Sequence, residues 1–307
     1  MSSIIKKIEK FLTDSQARFT YMNSLGLYKS MSDQKFLEQA FKINMGQELN
    51  LNNPQSFNEK IQWLKLYNRQ PEYTILVDKY KVRQYIADSL GEEYLIPLLG
   101  VWDDPDKIDF ALLPNRFVLK CNHNSGLGMC ICKDKSKLDI AKVKKNLRRG
   151  MQQDYYQIWR EWPYKNVPRK IICEKYLTDE SQSELKDYKI HNFNGSPKLI
   201  LVCSNRFSKS GLCEDFYDVN WNRLDLKRPN CRTTDSILPR PDQLEKMLEL
   251  SKKIAKGHPF VRTDFYQVNG KIYFGEVTLY PASGLSKYSP VEWDKKLGDW
   301  ITLPEKI

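Results

Sequence analysis

No run of the chain approaches the roughly 18 consecutive apolar residues that a membrane-spanning helix needs. The N-terminus also has neither the apolar core nor the small-residue cleavage site of a secretory signal, so the expected location is the cytoplasm. Histidine is scarce: His123, His191 and His258 lie far apart, and their spacing supports no Ser-His-Asp or Cys-His arrangement. The seven cysteines, at 121, 130, 132, 173, 203, 213 and 231, are odd in number and scattered, unlike the disulfide framework of a small secreted domain. Cys130 and Cys132 lack CxxC spacing and a second ligand pair, so they do not read as a zinc site. Buried, reduced thiols are the expectation. The phosphate-loop signatures GxxxxGK[ST] and GxGxxG are both missing, as are internal repeats and low-complexity segments.

What is present is a globule with an excess of positive charge. With 307 residues, 41% hydrophobic and 12% aromatic, the chain can bury a sizeable core and divide into two or three subdomains. The net charge of +11 points to an anionic partner: nucleotide, acidic polysaccharide, anionic lipid or nucleic acid. A basic helical stretch at 139–149 is followed by aromatic residues at 155–164, but no nucleic-acid motif accompanies them, and nucleic acid is not the expected partner. Residues 4–12 place Ile4, Ile5, Ile8, Phe11 and Leu12 at helical spacing between lysines. Such a segment could touch a membrane surface or pack on the protein.

Helical patterns dominate the first third: one after the N-cap candidate Ser32, one over Phe57–Tyr67, and one around Asp78 to Gly91. From Arg116 the character changes. Phe117–Lys120 reads as a buried strand, Cys121–Gly128 as a polar loop and Met129–Cys132 as a returning strand. A glycine-containing loop of this kind can fold over phosphates with its backbone N–H groups, and Lys120 can add a point charge. Residues 169–177 form a strand leaving through Glu174-Lys175-Tyr176-Leu177. That exit either pairs with an adenine edge or is a plain buried strand end. Asp187–Val202 is a hairpin about Asn194-Gly195, with Lys189 pointing into a cleft or into solvent. Pro239–Asp242 caps an amphipathic helix, Leu244–Ala255, with Met247, Leu248 and Ile254 toward the core.

The most informative stretch is Val261–Gly284. Two β-rich runs flank Asn269-Gly270, a strong hairpin signal. A two-residue loop puts Asp264 and Glu276 on opposite faces, because side chains alternate along each strand. A three-residue loop, Val268-Asn269-Gly270 with Gly270 in a bulge, places Arg262, Asp264, Glu276 and Thr278 on one face, with Arg262 opposite Glu276 and Asp264 diagonal to it at roughly 7–8 Å. Two carboxylates so placed can share a hard cation. Mg²⁺ favours one or two carboxylates plus nucleotide phosphates. The plainer reading is a cross-strand ion pair on a solvated face.

The order strand-Lys-glycine loop-strand, Glu-Lys-Tyr-Leu, Asp-Tyr-Lys, Arg-x-Asp and Glu-x-Thr resembles the ATP-grasp superfamily, in which ATP lies between two α+β subdomains. More closely, Phe57-Asn58-Glu59-Lys60-Ile61-Gln62-Trp63, Asp78-Lys79-Tyr80, Phe117 to Gly126 and Gly275-Glu276-x-Thr278 look like the TupA-like ATP-grasp family of bacterial surface-polysaccharide clusters, over about residues 40–300. The resemblance implies an α+β ATP-grasp fold: a mainly helical region at 1–110, a small subdomain at 111–178 with the phosphate loop, and a large subdomain at 179–307 with a Mg-binding hairpin. It implies that Lys120 contacts the α- and β-phosphates of ATP, while the loop bearing Asn122, Ser125, Gly126 and Gly128 closes over them. Glu174 and Leu177 would bracket the adenine-ribose hinge. Lys189 would reach the phosphates from the other subdomain. Asp264, Glu276 and Thr278 would face Mg²⁺, and Arg262 would stabilise the acyl-phosphate or tetrahedral oxyanion. Related ligases commonly carry Glu-x-Asn, and Thr278 in place of Asn puts one Mg²⁺ in doubt. The implied activity is an ATP-dependent carboxylate-amine ligase. Its substrates would be an acidic glycan or lipid-linked saccharide carrying a uronic-acid carboxylate, and an amine from an amino acid or peptide. The enzyme would work in the cytoplasm, with peripheral contact at the inner membrane. A glycosyltransferase, a sugar kinase and a non-catalytic binding module are the competing readings.

Overall fold

The computed structural model describes residues 11, 13–179, 185–206, 208 and 211–306. The segment at 4–12 therefore lies, Phe11 apart, outside the described residues. Ser32 caps helix α2 (Asp33–Met45), accepting from Lys35 N, and α2 ends on Gly46 in the left-handed region. Helix α1 (Ser15–Ser24) precedes it. Helix α3 (Phe57–Tyr67) opens with a reciprocal capping box between Ser56 and Glu59, which satisfies orphan N–H groups of the first turn. Two short helices follow, α4 (Glu72–Val77) and α5 (Val82–Ser89). Asp78 stands just before α5 and accepts from the backbone of Tyr80 and Lys81.

Strands β1 (Leu98–Trp102), β2 (Phe117–Cys121), β3 (Cys130–Cys132) and β4 (Ile171–Lys175) make an antiparallel sheet of order β1-β4-β2-β3. Thus β1, on the N-terminal side of the expected boundary at 110, pairs with β4 inside the small sheet. Between β3 and β4 lie α6 (Ile140–Gln152), capped by Asp139, and the short α7 (Tyr156–Trp159). Strands β5 (Asp187–Phe193), β6 (Ser196–Ser204), β7 (Cys213–Tyr217), β8 (Phe260–Val268) and β9 (Lys271–Thr278) form a second antiparallel sheet, β7-β6-β5-β8-β9. Helix α8 (Leu244–Ala255) packs across it and α9 (Glu292–Asp299) lies against α3. Helix α8 has no side-chain cap at Gln243; its core face buries Met247, Leu250 and Ile254, and Leu248 is partly buried against the same core. Among the described residues no helix is long and apolar enough to cross a membrane.

The first-third helices share the large sheet's core. Phe57, Ile61, Leu64, Leu76 and Ile86 belong to the same buried cluster as Ile190, Phe265 and Val277. A second cluster around Phe117, Leu147 and Ile171 lies under the small sheet. Both cores are aliphatic and aromatic, the pattern expected of sheets covered by helices on one face. Helices α3 to α5 pack on the large sheet, while Arg83 of α5 and the Asp78–Lys79 segment before it also reach the small sheet and the loop after β2.

The β8–β9 hairpin corrects the expected register. Asn269 (φ 48°) and Gly270 (φ 75°) form a two-residue turn with Val268 opposite Lys271, as the left-handed preference of Asn-Gly dictates. The ladder then shifts between Asp264 and Phe265: Phe265 pairs with Phe274, but Asp264 pairs with Glu276. Gly275 is the extra residue, a bulge that turns Glu276 onto Asp264's face. Asp264 is therefore directly opposite Glu276, and Arg262 opposite Thr278. The shared face survives, and its cause is a glycine bulge inside the strand instead of a longer loop.

Candidate active site

Each sheet contributes one half of a charged cleft. On the small sheet, Lys120 and Glu174 lie on one face because Lys120 pairs with Ile172 and Val118 with Glu174. Lys120 Nζ is 2.7 Å from Glu174 Oε2, and Arg83 from α5 reaches Glu174 Oε1 at 3.3 Å. Glu174 is thus a buried counter-ion between two cations in this structure, and Leu177 is half-buried in the segment that follows β4.

The loop after β2 is anchored from inside. Asn122, fully buried, donates from Nδ2 to Asp78 Oδ1 (2.7 Å) and to Pro168 O (2.9 Å), and its Oδ1 accepts from Lys170 N. Its side chain is occupied in holding the loop base. Gly128 has φ 74°, and a Cβ there would stand 2.7 Å from Cys121 Sγ and 3.0 Å from Gly150 Cα. Glycine at 128 and 150 lets the loop lie directly on α6. Gly126, also left-handed at φ 84°, has open space where a Cβ would stand, with nothing within 4 Å, and Ser125 beside it is exposed. The open, unhindered portion of the loop is therefore 125–126.

On the large sheet, Lys189, Arg262, Asp264, Glu276 and Thr278 converge. Arg262 donates from Nε to Asp264 Oδ1 (2.6 Å), and from Nη2 to Asp264 Oδ2 (2.8 Å), Glu276 Oε1 (3.1 Å) and Thr278 Oγ1 (2.8 Å). Lys189 contacts Asp264 and stands 2.6 Å from Asp187 Oδ2. Burial would lower the Lys189 pKa, but Asp264 first, and Asp187 as well, raise it above the ordinary lysine value. Burial raises the Glu276 carboxyl, yet Lys79, Lys189, Arg262 and Lys120 together bring it down to about 2. Glu276 therefore stays ionised, and with about a third of its side chain exposed it is the carboxylate most open to the cleft.

Sequence reasoning assigned no site role to Lys79. Its Nζ donates to Asn124 O at 2.8 Å and lies 3.7 Å from Glu276 Oε2, joining the phosphate-loop half to the hairpin half. The signal was present in Asp78-Lys79-Tyr80, but only the fold shows what it spans. Asp187 was also passed over: it is buried, and its Oδ1 has no hydrogen-bond partner. A third unforeseen group supports the turn after β9. Lys65, fully buried on α3, donates to Ser283 O (2.7 Å), Trp159 O (3.1 Å) and Gln62 Oε1 (3.1 Å). Glu161 accepts from Ser283 Oγ. These bonds clamp Ala282, Ser283 and Gly284, three successive residues at positive φ.

The cleft therefore presents Lys79, Lys120, Lys189 and Arg262 around Glu276, with Asp264 held by two of them. The donor set fits a nucleotide carried with a hard cation: opposed carboxylates on one face, cations for phosphate oxygens and an unhindered loop. Among the described residues no cluster of three or more His, Cys, Asp or Glu is arranged to hold a metal by protein ligands alone. That is compatible with an ion whose remaining ligands come from phosphate and water. The histidines are held neutral, burial lowering His191 to about 3 and His123 to about 4. Burial pushes the Cys203 thiol up to about 12.

Two layered antiparallel sheets facing such a cleft define the ATP-grasp class. Comparison agrees and goes further: the family model described as TupA-like ATPgrasp matches residues 59–302. The chain belongs to the TupA-like ATP-grasp family and is an ATP-dependent ligase. No curated protein matches it. Among solved structures, a D-alanine–D-alanine ligase from Bacillus anthracis complexed with ATP is similar at 16% identity and TM-score 0.47, over 94% of this chain and 92% of that one. A D-alanine–D-alanine ligase from Helicobacter pylori is similar at 16% identity and TM-score 0.43, over 80% and 69%. A RimK domain ATP-grasp protein from Sphaerobacter thermophilus is similar at 12% identity and TM-score 0.42, over 76% and 70%.

Proposed function

We propose that this ligase joins an amine to a uronic-acid carboxylate of a bacterial capsular or cell-wall polysaccharide, through an acyl phosphate. The observation that carries the reading is the convergence of Lys79, Lys120, Lys189 and Arg262 on Asp264 and Glu276, with neutral histidines and protonated thiols nearby. Such a site stabilises charge and orients reactants, and it needs no side-chain nucleophile. In the first step a substrate carboxylate oxygen bonds to the γ-phosphorus of ATP and the bond to ADP breaks. In the second, an amine nitrogen attacks the acyl carbon and phosphate departs with the C–O electron pair.

Lys120 and the 125–126 portion of the loop would hold phosphates from the small sheet, and Lys189 from the large one. Glu174 and Leu177 would lie at the adenine-ribose side, where Glu174 would exchange Lys120 for ligand contacts. Asp264 and Glu276, with Thr278 beside them, would hold Mg²⁺, which when bound offsets phosphate charge. Arg262, fixed by Asp264, Glu276 and Thr278, would face the developing oxyanion. The chain's excess of positive charge supports an acidic acceptor, glycan or lipid-linked, and contact with an anionic membrane face.

The test is thermal unfolding with Mg-ATP, Mg-ADP and UDP-sugars, followed by assay of ADP and phosphate with uronate acceptors and amines. Binding only to the native state at 100 times Kd raises stability by about 2.7 kcal/mol. A Mg-dependent rise with adenine nucleotides, absent in Lys120→Ala, and phosphate release that requires both carboxylate and amine are expected. A rise with UDP-sugars alone would make the protein a sugar-transfer enzyme.

A further inference from the structure

The charged face of the large sheet does not end at Lys189. By register, Lys189 is paired with Leu201 and Leu201 with Phe216, while Glu214 lies two residues from Phe216 along β7, opposite Cys203. These side chains share the face that carries Asp264 and Glu276, since paired residues point the same way. Beside the catalytic cluster this face opens into a cavity roofed by Phe57, Ala282 and Tyr288.

At the β7 side of the cavity is a buried ion pair. Arg228 donates from Nε to Glu214 Oε2 at 2.6 Å and from Nη2 to Glu214 Oε1. The carboxylate is almost covered, 4% exposed, while the arginine side chain is 29% exposed. Arg228 is also held in place by its neighbour, because Lys227 and Ser289 exchange two backbone hydrogen bonds of 2.8 and 2.9 Å. The pairing uses one edge of the guanidinium, so a ligand carboxylate can approach the other. The cavity is also lined by Phe193, Leu199, Leu201, Phe216 and Leu297, which offer no side-chain hydrogen-bond partner, and by the uncharged polar groups of His191, Ser286 and Tyr288.

We propose that this cavity seats the amine substrate, a free α-amino acid with an apolar side chain, whose carboxylate is read by Arg228 and whose amino group faces Arg262 and Lys189. The inference rests on the ligase reading above. A uronate would bring several hydroxyls to a lining that is largely aliphatic and aromatic, where those not reaching His191, Ser286 or Tyr288 would lose water without a partner. An apolar amino acid presents only the carboxylate and the amine. The cationic surroundings of the cavity also favour the uncharged, nucleophilic amine over ammonium. In the transfer, its nitrogen bonds to the acyl carbon, the C–O bond to phosphate breaks with its electron pair on phosphate, and the ammonium proton goes to that phosphate.

The test is calorimetric titration of the full chain, first with Mg-ADP and then, in the Mg-ADP complex, with L- and D-enantiomers of alanine, valine, leucine, methionine and phenylalanine. The amino acid amides and glucuronate serve as comparison probes. At least one amino acid should bind, at least tenfold more tightly than its amide, and this preference should vanish in Arg228→Gln while Mg-ADP affinity is retained. The acid-over-amide comparison in the unmodified protein stands even where Arg228→Gln fails to fold. Mg-ADP binding with no amino acid binding, equal binding of acid and amide, or Arg228-dependent binding of glucuronate alone would each overturn the assignment. Failure to bind Mg-ADP at all would instead remove the ligase reading, and this inference with it.

Discussion

Lys79 stands 3.7 Å from Glu276 while donating to Asn124 O at 2.8 Å, so one ammonium group ties the phosphate loop to the hairpin of the other sheet. It is also the largest of the contributions that depress the Glu276 pKa. In Lys79→Met the Glu276 carboxyl should titrate closer to the ordinary glutamate range, near 4.3. Carbon-13 NMR titration of the labelled side chain measures this. An unchanged value would mean that the contact is absent in solution.

Asp264 and Glu276 should separate in their effects on stability. Asp264 is 1% exposed and compensates both Arg262 and Lys189, so Asp264→Asn strands buried positive charge and should cost on the order of 3 kcal/mol. Glu276 is a third exposed, so solvent screens it, and Arg262 keeps Asp264 without it; Glu276→Gln should cost less than Asp264→Asn, about 1–2 kcal/mol. Turnover should fall roughly 100-fold or more in both. Urea titration together with ADP release distinguishes the two effects.

Lys65 is buried without exposure and pushed down to about 8 by burial, with Glu161 opposing. Lys65→Met leaves Glu161 without its cation and should cost about 3–5 kcal/mol. Adding Glu161→Gln should recover part of that loss, because the two residues form one network. Strict additivity in the double-mutant cycle would show that they are not coupled.

The two loop glycines predict opposite severities. Gly126→Ala meets open space and incurs only the left-handed backbone penalty, roughly 1–2 kcal/mol. Gly128→Ala adds a clash with Cys121 and Gly150, so its cost should exceed that of Gly126→Ala by about 1–3 kcal/mol. Thermal midpoints of the two variants compare them directly.

Acid should weaken the fold from mildly acidic pH downward. His123, His191 and His258 all have pKa values lowered by burial, to about 4 and about 3 for the first two. Between their unfolded value near 6.5 and those folded values, the unfolded chain binds protons that the native chain does not. Stability therefore falls as pH drops, by about 1.4 kcal/mol per pH unit for each such histidine. Below about 4.5 the depressed Glu276 adds to the loss in the same direction. Denaturant midpoints between pH 7 and pH 5 that stay constant would contradict this.

Local chemistry made much of the fold legible. Ser32 announced the start of α2, Asn194-Gly195 and Asn269-Gly270 their hairpins, and Phe117–Cys132 a strand-loop-strand. These signals need only neighbours in the chain: a capping oxygen, a left-handed glycine, a two-residue alternation. Lys120, Lys189, Arg262, Asp264 and Glu276 were singled out through the family resemblance, and the shared face of Asp264 and Glu276 was expected from a longer loop than the two-residue turn that forms.

Tertiary structure decided what depends on contact across distance. The Gly275 bulge sets which residue Asp264 opposes, and the turn dipeptide alone cannot report an irregularity five residues further on. Glu174 is neutralised by Arg83 from a helix 91 positions earlier, Lys79 by Glu276, and Lys65 sits under a turn 218 positions later. Burial makes those pairings obligatory, since an unpartnered charge inside the protein would be costly. The amino-acid chain thus specified the strands and the chemistry each could bear, while packing of α3 to α5 on the large sheet, with Lys79 and Arg83 reaching across to the other half, decided which charges meet.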